Sequence, residues 1–179
     1  MLKGYNTDMD GFLEPLFKRN ISIKNKNILL IGAGGAARAI VAGMAKEKAG
    51  NLDIANRTTL NAKNLAEFAT KLGLKTNTKK IEETDKHIEN YDIIINSTSI
   101  GLKNEESPIS FEGANQKTIV YDIVYAPMNT DFIKKAKEKK LEVIYGYEML
   151  LGQATRAFEI WHEMKAPYNA MKKALLGGF

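Results

Sequence analysis

The sequence predicts an α/β protein built on a doubly wound parallel sheet. Three observations predict it. Short apolar runs alternate along the chain with longer segments of helical period, an order that gives parallel strands with helices on both faces. A glycine-rich turn leaves one of these strands and opens a helix directly. With 179 residues and 44% apolar content, the chain can bury one sizeable core.

Taken in order, a first helix is expected over Gly11–Arg19. The run Ile28-Leu29-Leu30-Ile31 then marks a strand over Asn27–Ile31, and the alanine-rich stretch after the glycines marks a helix over Ala36–Lys48. A strand at Leu52–Ala55, a helix at Asn61–Leu72 and a strand near Lys75–Asn77 follow. Thr78–Glu89 fits neither the helical nor the strand period well. The apolar runs at Ile93–Asn96 and Ile119–Asp122 read as buried strands, with a helix at Thr130–Lys139 and a strand at Glu142–Tyr145 behind them. Two helices close the chain, Met149–Glu163 and Pro167–Leu176. In the first, Leu150, Ala154, Ala157, Trp161 and Met164 fall on one apolar face. A doubly wound domain covers its sheet with its own helices, so this face is expected to pack on another domain or a second copy of the chain. No internal repeat or low-complexity linker interrupts the order.

Composition removes several function classes. There is no cysteine, hence no disulfide framework and no thiolate metal site. His87 and His162 lie far apart without ligand-like spacing, so no metal is expected. No stretch approaches the roughly 18 apolar residues of a membrane span, and the N-terminus lacks a signal-peptide pattern. A soluble, cytoplasmic protein is expected. The net charge of +5 is densest at Lys134–Lys140, where a glutamate interrupts the lysines and no stacking aromatics accompany them. That run reads as a solvated helix face rather than a nucleic-acid contact.

The turn itself carries the chemistry. Gly32-x-Gly34-x-x-Ala37 is the dinucleotide-binding spacing with alanine in the third place. Gly32 permits the tight turn, Gly34 lets a pyrophosphate approach the backbone, and Ala37 lets helix and strand pack closely. Free N–H groups at the helix start then face the phosphates. A glycine-rich αβ turn without a ligand is the bland alternative. The second strand ends Asn56-Arg57-Thr58, with Asn56 in the place where an NAD site carries an acid for the ribose 2′-OH. Arg57 suits a 2′-phosphate, which favours NADP over NAD. Asp53 lies too early in the strand to reach the ribose. Alternatively, Asn56-Arg57-Thr58 is only a turn and helix cap.

Six motifs in order now resemble the shikimate dehydrogenase family, in its C-terminal part. They are Gly4-Tyr5-Asn6-Thr7-Asp8, the Gly32–Ala37 turn, Asn56-Arg57-Thr58, Asn96-Ser97-Thr98-Ser99-Ile100-Gly101, Tyr121–Pro127 and Gly146–Ala154. Glutamyl-tRNA reductases share the glycine turn and strand end, but are not expected to share the Asn-Thr-Asp and Gln153 segments. The resemblance implies a Rossmann-like NADP-binding domain over 21–146, an inter-domain segment over 1–20 and C-terminal helices over 147–179. It implies NADPH-dependent reduction of 3-dehydroshikimate to shikimate, and the reverse, in aromatic amino acid biosynthesis.

By that resemblance, Gly32, Ala33, Gly34, Gly35 and Ala36 hold the pyrophosphate, and Asn56, Arg57 and Thr58 the 2′-phosphate. Ile123 and Gly146 lie beside the nicotinamide. Asp8, next to Thr7, binds substrate hydroxyls and pairs with a catalytic lysine, while Tyr125 and Gln153 contact substrate. These groups suit a polyhydroxylated ring. Thr7 and Asp8 also read as helix caps, Tyr125 as a packed turn aromatic and Gln153 as a solvated helix residue.

The sequence also departs from the family. Met9 replaces a usual glycine, and Asn61 stands where many members carry a second base for the 2′-phosphate, leaving either weaker NADP selectivity or Lys63 as the substitute. The family's Ser-x-Ser motif, catalytic lysine and substrate-binding asparagine have no counterpart here. The chain alone is therefore expected to bind NADP(H) with little or no turnover, and to self-associate through its last helices or pair with the absent domain. The alternatives are a non-catalytic NADP-binding module, or a half-enzyme that assembles with a separate substrate domain.

Overall fold

The structure, a computed structural model, describes residues 2–103 and 106–177. Six strands form one parallel sheet: β1 (Ile28–Ile31), β2 (Asn51–Ala55), β3 (Lys75–Lys79), β4 (Ile93–Asn96), β5 (Ile119–Asp122) and β6 (Glu142–Ile144). Their spatial order is β3-β2-β1-β4-β5-β6, which is the doubly wound arrangement. The chain runs outward from β1 to β3 and then returns to β1's other edge, so that Ile31 pairs with Ala55 of β2 on one side and with Asn96 of β4 on the other. The topological switch therefore falls between β1 and β4.

Burial explains the strand sequences. The four residues of β1, and the four of β4, are all buried because each strand has neighbours on both edges and cover on both faces. β3, at the sheet edge, reads Lys-Thr-Asn-Thr-Lys, and this polar, lysine-bounded strand blunts an exposed edge, with Lys75 in solvent and Lys79 turned in to pair with Asp53. Alternate residues divide between two cores. Ile28, Leu30, Leu52, Ile54, Ile93 and Ile95 meet the helices on one face, while Leu29, Ile31, Ile94 and Val120 meet Phe111, Phe132 and Ala136 on the other.

On the first face lie α1 (Asp8–Lys18), α2 (Gly35–Lys46), α3 (Thr59–Lys71) and the start of α5 (Gly146–His162). The second face carries α4 (Asp131–Glu138) and a 3-10 segment, Ile81–Asn90, in place of a crossover helix. α6 (Tyr168–Leu176) closes the described chain.

Two helices begin three residues before the sequence signals suggest. α1 starts at Asp8 because the Asn6 Oδ1 accepts from the Asp8 N–H at 2.9 Å. Neither the hydroxyl of Thr7 nor the carboxylate of Asp8 caps it, which removes the capping reading for both. α5 starts at Gly146, where the Glu148 carboxylate accepts from the Tyr145 N–H at 3.1 Å.

α5 is not wholly without a partner in the chain. It crosses α1 backbone to backbone at a pair of glycines: a Cβ on Gly11 would stand 2.7 Å from the Met149 carbonyl oxygen, and one on Gly152 3.0 Å from the Gly11 Cα. The predicted apolar stripe is the face left over. Leu150, Ala154 and Ala157 are partly buried, whereas Trp161 is 78% and Met164 59% exposed.

Candidate cofactor site

The carboxyl ends of the strands around the switch point enclose a cleft of about 500 Å³. Its floor is the glycine turn. The Gly32 N–H donates to the Ala55 carbonyl at 2.8 Å, tying the turn to β2, and Gly32 takes φ +108°, a conformation that side chains resist. A Cβ there would lie 2.6 Å from the Ser97 Oγ. Ser97 in turn donates both its N–H (2.7 Å) and its hydroxyl (2.8 Å) to the Ile31 carbonyl. Around Gly34 and Gly35 the reverse applies, since a Cβ on either would meet nothing within 4 Å. This is open backbone at a helix start. No side chain caps α2 and no acid stands in its first turn, so its N–H groups are available to an anion.

One wall comes from the end of β2. The Asn56 side-chain amide donates to the Thr58 carbonyl at 2.9 Å and closes the turn that presents Arg57. Arg57 is exposed and has no ion-pair partner among the described residues. Thr58 precedes α3 without a side-chain cap, so that helix start has no side-chain acceptor of its own.

Asp53 is committed elsewhere, as its early place in the strand suggests. On the second face of the sheet it accepts from Lys79 (2.7 Å), Tyr91 (2.6 Å) and Asn77 (3.0 Å). Burial raises its pKa, but these donors outweigh burial and hold the carboxyl below its ordinary value. Burial and the Asp53 carboxylate push the Tyr91 phenol up to about 12.

The other wall, Ser97 to Ile100 after β4, is absent from the sequence-based set of site residues, as are Ile81 and Glu82. The Asn-Ser-Thr-Ser run at the end of an apolar strand carries a signal for that wall, but only once β4 is known to lie beside β1. A buried polar network shapes it. The Asn96 Nδ2 donates to Asp122 (3.0 Å) and to the Ile100 carbonyl (3.3 Å), and the Asn96 Oδ1 accepts from the Thr98 N–H and hydroxyl. Asp122 also accepts from the Val124 N–H (3.1 Å) and the Thr130 hydroxyl (2.5 Å). Burial pushes the Asp122 carboxyl up to about 6 against these three donors.

Of the proposed site residues, Gly32, Ala33, Gly34, Asn56, Arg57 and Asn61 line this cleft. Gly35 opens on an adjoining hollow, and Ala36 and Thr58 line neither. The remaining positions form two groups toward β5 and α5. Gly146 packs its backbone on the carbonyls of Ile123 and Val124, a Cβ there lying 2.6 Å from the Ile123 oxygen, and Tyr125 stands 45% exposed just beyond. The Gln153 Cβ lies over Gly11, one turn along α1 from Asp8. Thr7, Asp8 and Gln153 are partly buried. Among the described residues, no three His, Asp or Glu side chains gather as a metal site, and no helix is long and apolar enough to cross a membrane.

Fold and cleft define a doubly wound α/β domain with a dinucleotide-type turn at its switch point. Comparison with known proteins narrows this class. The family model described as "Shikimate / quinate 5-dehydrogenase" matches residues 15–131, and that of the "Shikimate 5'-dehydrogenase C-terminal domain" matches 146–176. The chain belongs to the shikimate/quinate 5-dehydrogenase family. It is 71% identical, over all 179 residues, to a shikimate dehydrogenase (NADP(+)) of Nitrosopumilus maritimus, and spans 66% of that relative's length.

Solved structures agree. A shikimate 5-dehydrogenase of Listeria monocytogenes, in complex with shikimate and NAD, superposes with a TM-score of 0.89 at 31% identity, over 96% of this chain and 63% of that one. The Thermus thermophilus enzyme, in complex with NADP(H) and shikimate, gives 0.84 at 32% identity, over 98% and 64%.

Proposed function

We propose that this chain is the cofactor-binding portion of an NADP-dependent shikimate dehydrogenase, which interconverts 3-dehydroshikimate and shikimate. The observation that carries the reading is the switch-point cleft, with an open glycine turn on its floor and, at the end of β2, an arginine that has no ion-pair partner among the described residues. In a family chain, that donor set fits a dinucleotide bearing a 2′-phosphate.

The roles follow from chemistry. The backbone from Gly32 to Ala36 cradles the pyrophosphate: Gly32 shapes the turn, its own N–H being held by the Ala55 carbonyl, and the N–H groups after it, at the start of α2, bind the anion. Arg57, with Asn56, Thr58 and Asn61, binds the 2′-phosphate through charge-assisted bonds. Ile123 and the backbone at Gly146 border the nicotinamide, which supplies a hydride when reduced. Asp8, Thr7, Tyr125 and Gln153 orient a polyhydroxylated ring through hydrogen bonds. Ketone reduction also needs a proton donor beside the hydride, worth ~10²–10⁴-fold. Among the described residues the cleft lining includes no lysine or histidine to deliver that proton, which supports a 179-residue chain that binds cofactor with little turnover. The exposed Trp161 end of α5 is the surface through which it self-associates or meets further protein.

Titrating the purified chain with NADPH and with NADH, by cofactor fluorescence, tests the reading before 3-dehydroshikimate is added. Saturable NADPH binding, weaker NADH binding and no oxidation are expected. Failure to bind either cofactor refutes the site, and turnover at the rate of a complete dehydrogenase refutes the predicted inactivity.

A further inference from the structure

Beside the main cleft lies a second hollow of about 320 Å³, between the first turn of α2 and one face of α3. The two share Ala33, Gly34 and Asn61, so they are continuous. Its cation is Arg38, in the first turn of α2 and one turn beyond Gly34. Arg38 is exposed and pairs with no carboxylate among the described residues; its guanidinium carbon rests 4.4 Å from the Phe68 ring centroid. Asn61, Asn64, Leu65 and Phe68 recur on the face of α3 turned toward α2. Lys63 is two residues on from Asn61, about 200° round the helix, and lines neither hollow.

We infer that Arg38 is a specificity-determining residue, the second cation for the adenosine 2′-phosphate, which swings from its rest on Phe68 along the hollow toward Asn61. This rests on the cofactor reading above. A phosphate monoester carries close to two negative charges at neutral pH, and Arg57 supplies one positive charge at the end of β2. Asn61 adds an amide donor but no charge. Arg38 reaches the same corner from the other helix. Its flexible stem lets it exchange an exposed ring stack for charge-assisted bonds to phosphate, which are the stronger interaction. Phe68 holds the guanidinium in the hollow until the anion arrives.

The test measures dissociation constants of NADPH and NADH for the full 179-residue chain and its Arg38→Ala, Arg38→Lys and Arg57→Ala variants. Arg38→Ala is expected to weaken NADPH about tenfold and NADH less than twofold, with Arg38→Lys intermediate. Adding Asn61→Arg to Arg38→Ala is expected to restore the NADPH preference. An NADPH/NADH ratio unchanged in Arg38→Ala overturns the inference, because a purely structural role for the Phe68 stack would move both cofactors equally. A parent chain that binds neither cofactor overturns the cofactor reading itself. A parent that prefers NADPH, with Arg57→Ala alone abolishing the preference, overturns only the role of Arg38.

Discussion

Asp122 is a fully buried carboxyl, and replacing it with asparagine isolates what its ionisation costs. One carboxylate oxygen accepts from the Asn96 amide and the Val124 N–H; the other accepts from Thr130. An asparagine can keep its oxygen toward Asn96 and Val124 and turn its amide to the Thr130 hydroxyl, which accepts as readily as it donates. The Asp122→Asn variant keeps the bonds to Asn96 and Val124, reverses the one to Thr130 at a cost that does not vary with pH, and removes the titration. Burial holds Asp122 at about 6 in the fold against 3.8 as the ordinary value. With the folded value the higher, the stabilising contribution is complete below pH 3.8 and disappears as the pH rises through about 6. At ~1.36 kcal/mol for each tenfold step, the loss is about 3 kcal/mol. Urea unfolding of both proteins at matched ionic strength, from about pH 3.5 to about pH 7.5, cancels the other carboxyls. The parent should lose about 3 kcal/mol relative to the variant across that window. A constant difference would show that the three donors balance burial, and a parent that gains on the variant as pH rises would show that they outweigh it; either result refutes the raised value.

Gly32→Ala forces a side chain to φ +108° and within 2.9 Å of the Ser97 backbone, so unfolding measurements should show a loss of about 2–4 kcal/mol. Parent-like stability would mean that the turn relaxes freely. Arg19 bonds both oxygens of Glu148, at 2.7 and 2.9 Å, and joins the end of α1 to the start of α5. With the two side chains only 30% and 16% exposed, Arg19→Ala should cost about 1–3 kcal/mol in urea, and a loss below ~0.5 kcal/mol would class the pair as surface decoration. Trp161→Glu should abolish concentration-dependent association in sedimentation experiments; a parent that stays monomeric at high concentration refutes that use of the α5 face.

The legible parts of the fold are those governed by local rules. β1, β4 and β5 are runs whose burial on both faces demands apolar residues, so their bounds follow from the sequence within a residue. The starts of α1 and α5 do not, because they depend on Asn6 and Glu148 side chains reaching specific N–H groups rather than on a change of period. The 3-10 segment at Ile81–Asn90 is least legible. It is polar except at its anchors, and it is fixed by the Thr84 hydroxyl on the Ile81 carbonyl and by Ile88 plugged into the second core. In the site, the glycine turn is readable because strand, turn and helix are contiguous. The Ser97–Ile100 wall joins it from 65 residues later, through the pairing of β1 with β4, and no local pattern announces such a pairing. Arg38 is hidden for a similar reason, since its relation to Asn61 exists only once α2 and α3 lie side by side.

α5 links the two halves of the proposed site. It is fixed to the sheet at Gly146, where its backbone meets the carbonyls at the end of β5, and to α1 at Glu148 and Gly152. Gly146 and Gln153 are seven residues apart, about 10 Å along the axis. A helix held at three points within two turns keeps that spacing fixed, and with it the spacing from the proposed nicotinamide border to the proposed substrate contacts on α1. On the proposed assignment, the geometry for orienting substrate belongs to the sheet and its first helix, while Trp161 near the far end of α5 stays exposed. On the same proposal, a proton donor would act at a place whose distance from the cofactor is already set. That division accounts for a chain expected to bind well and turn over poorly, because orientation and proton transfer are separable contributions to the same barrier.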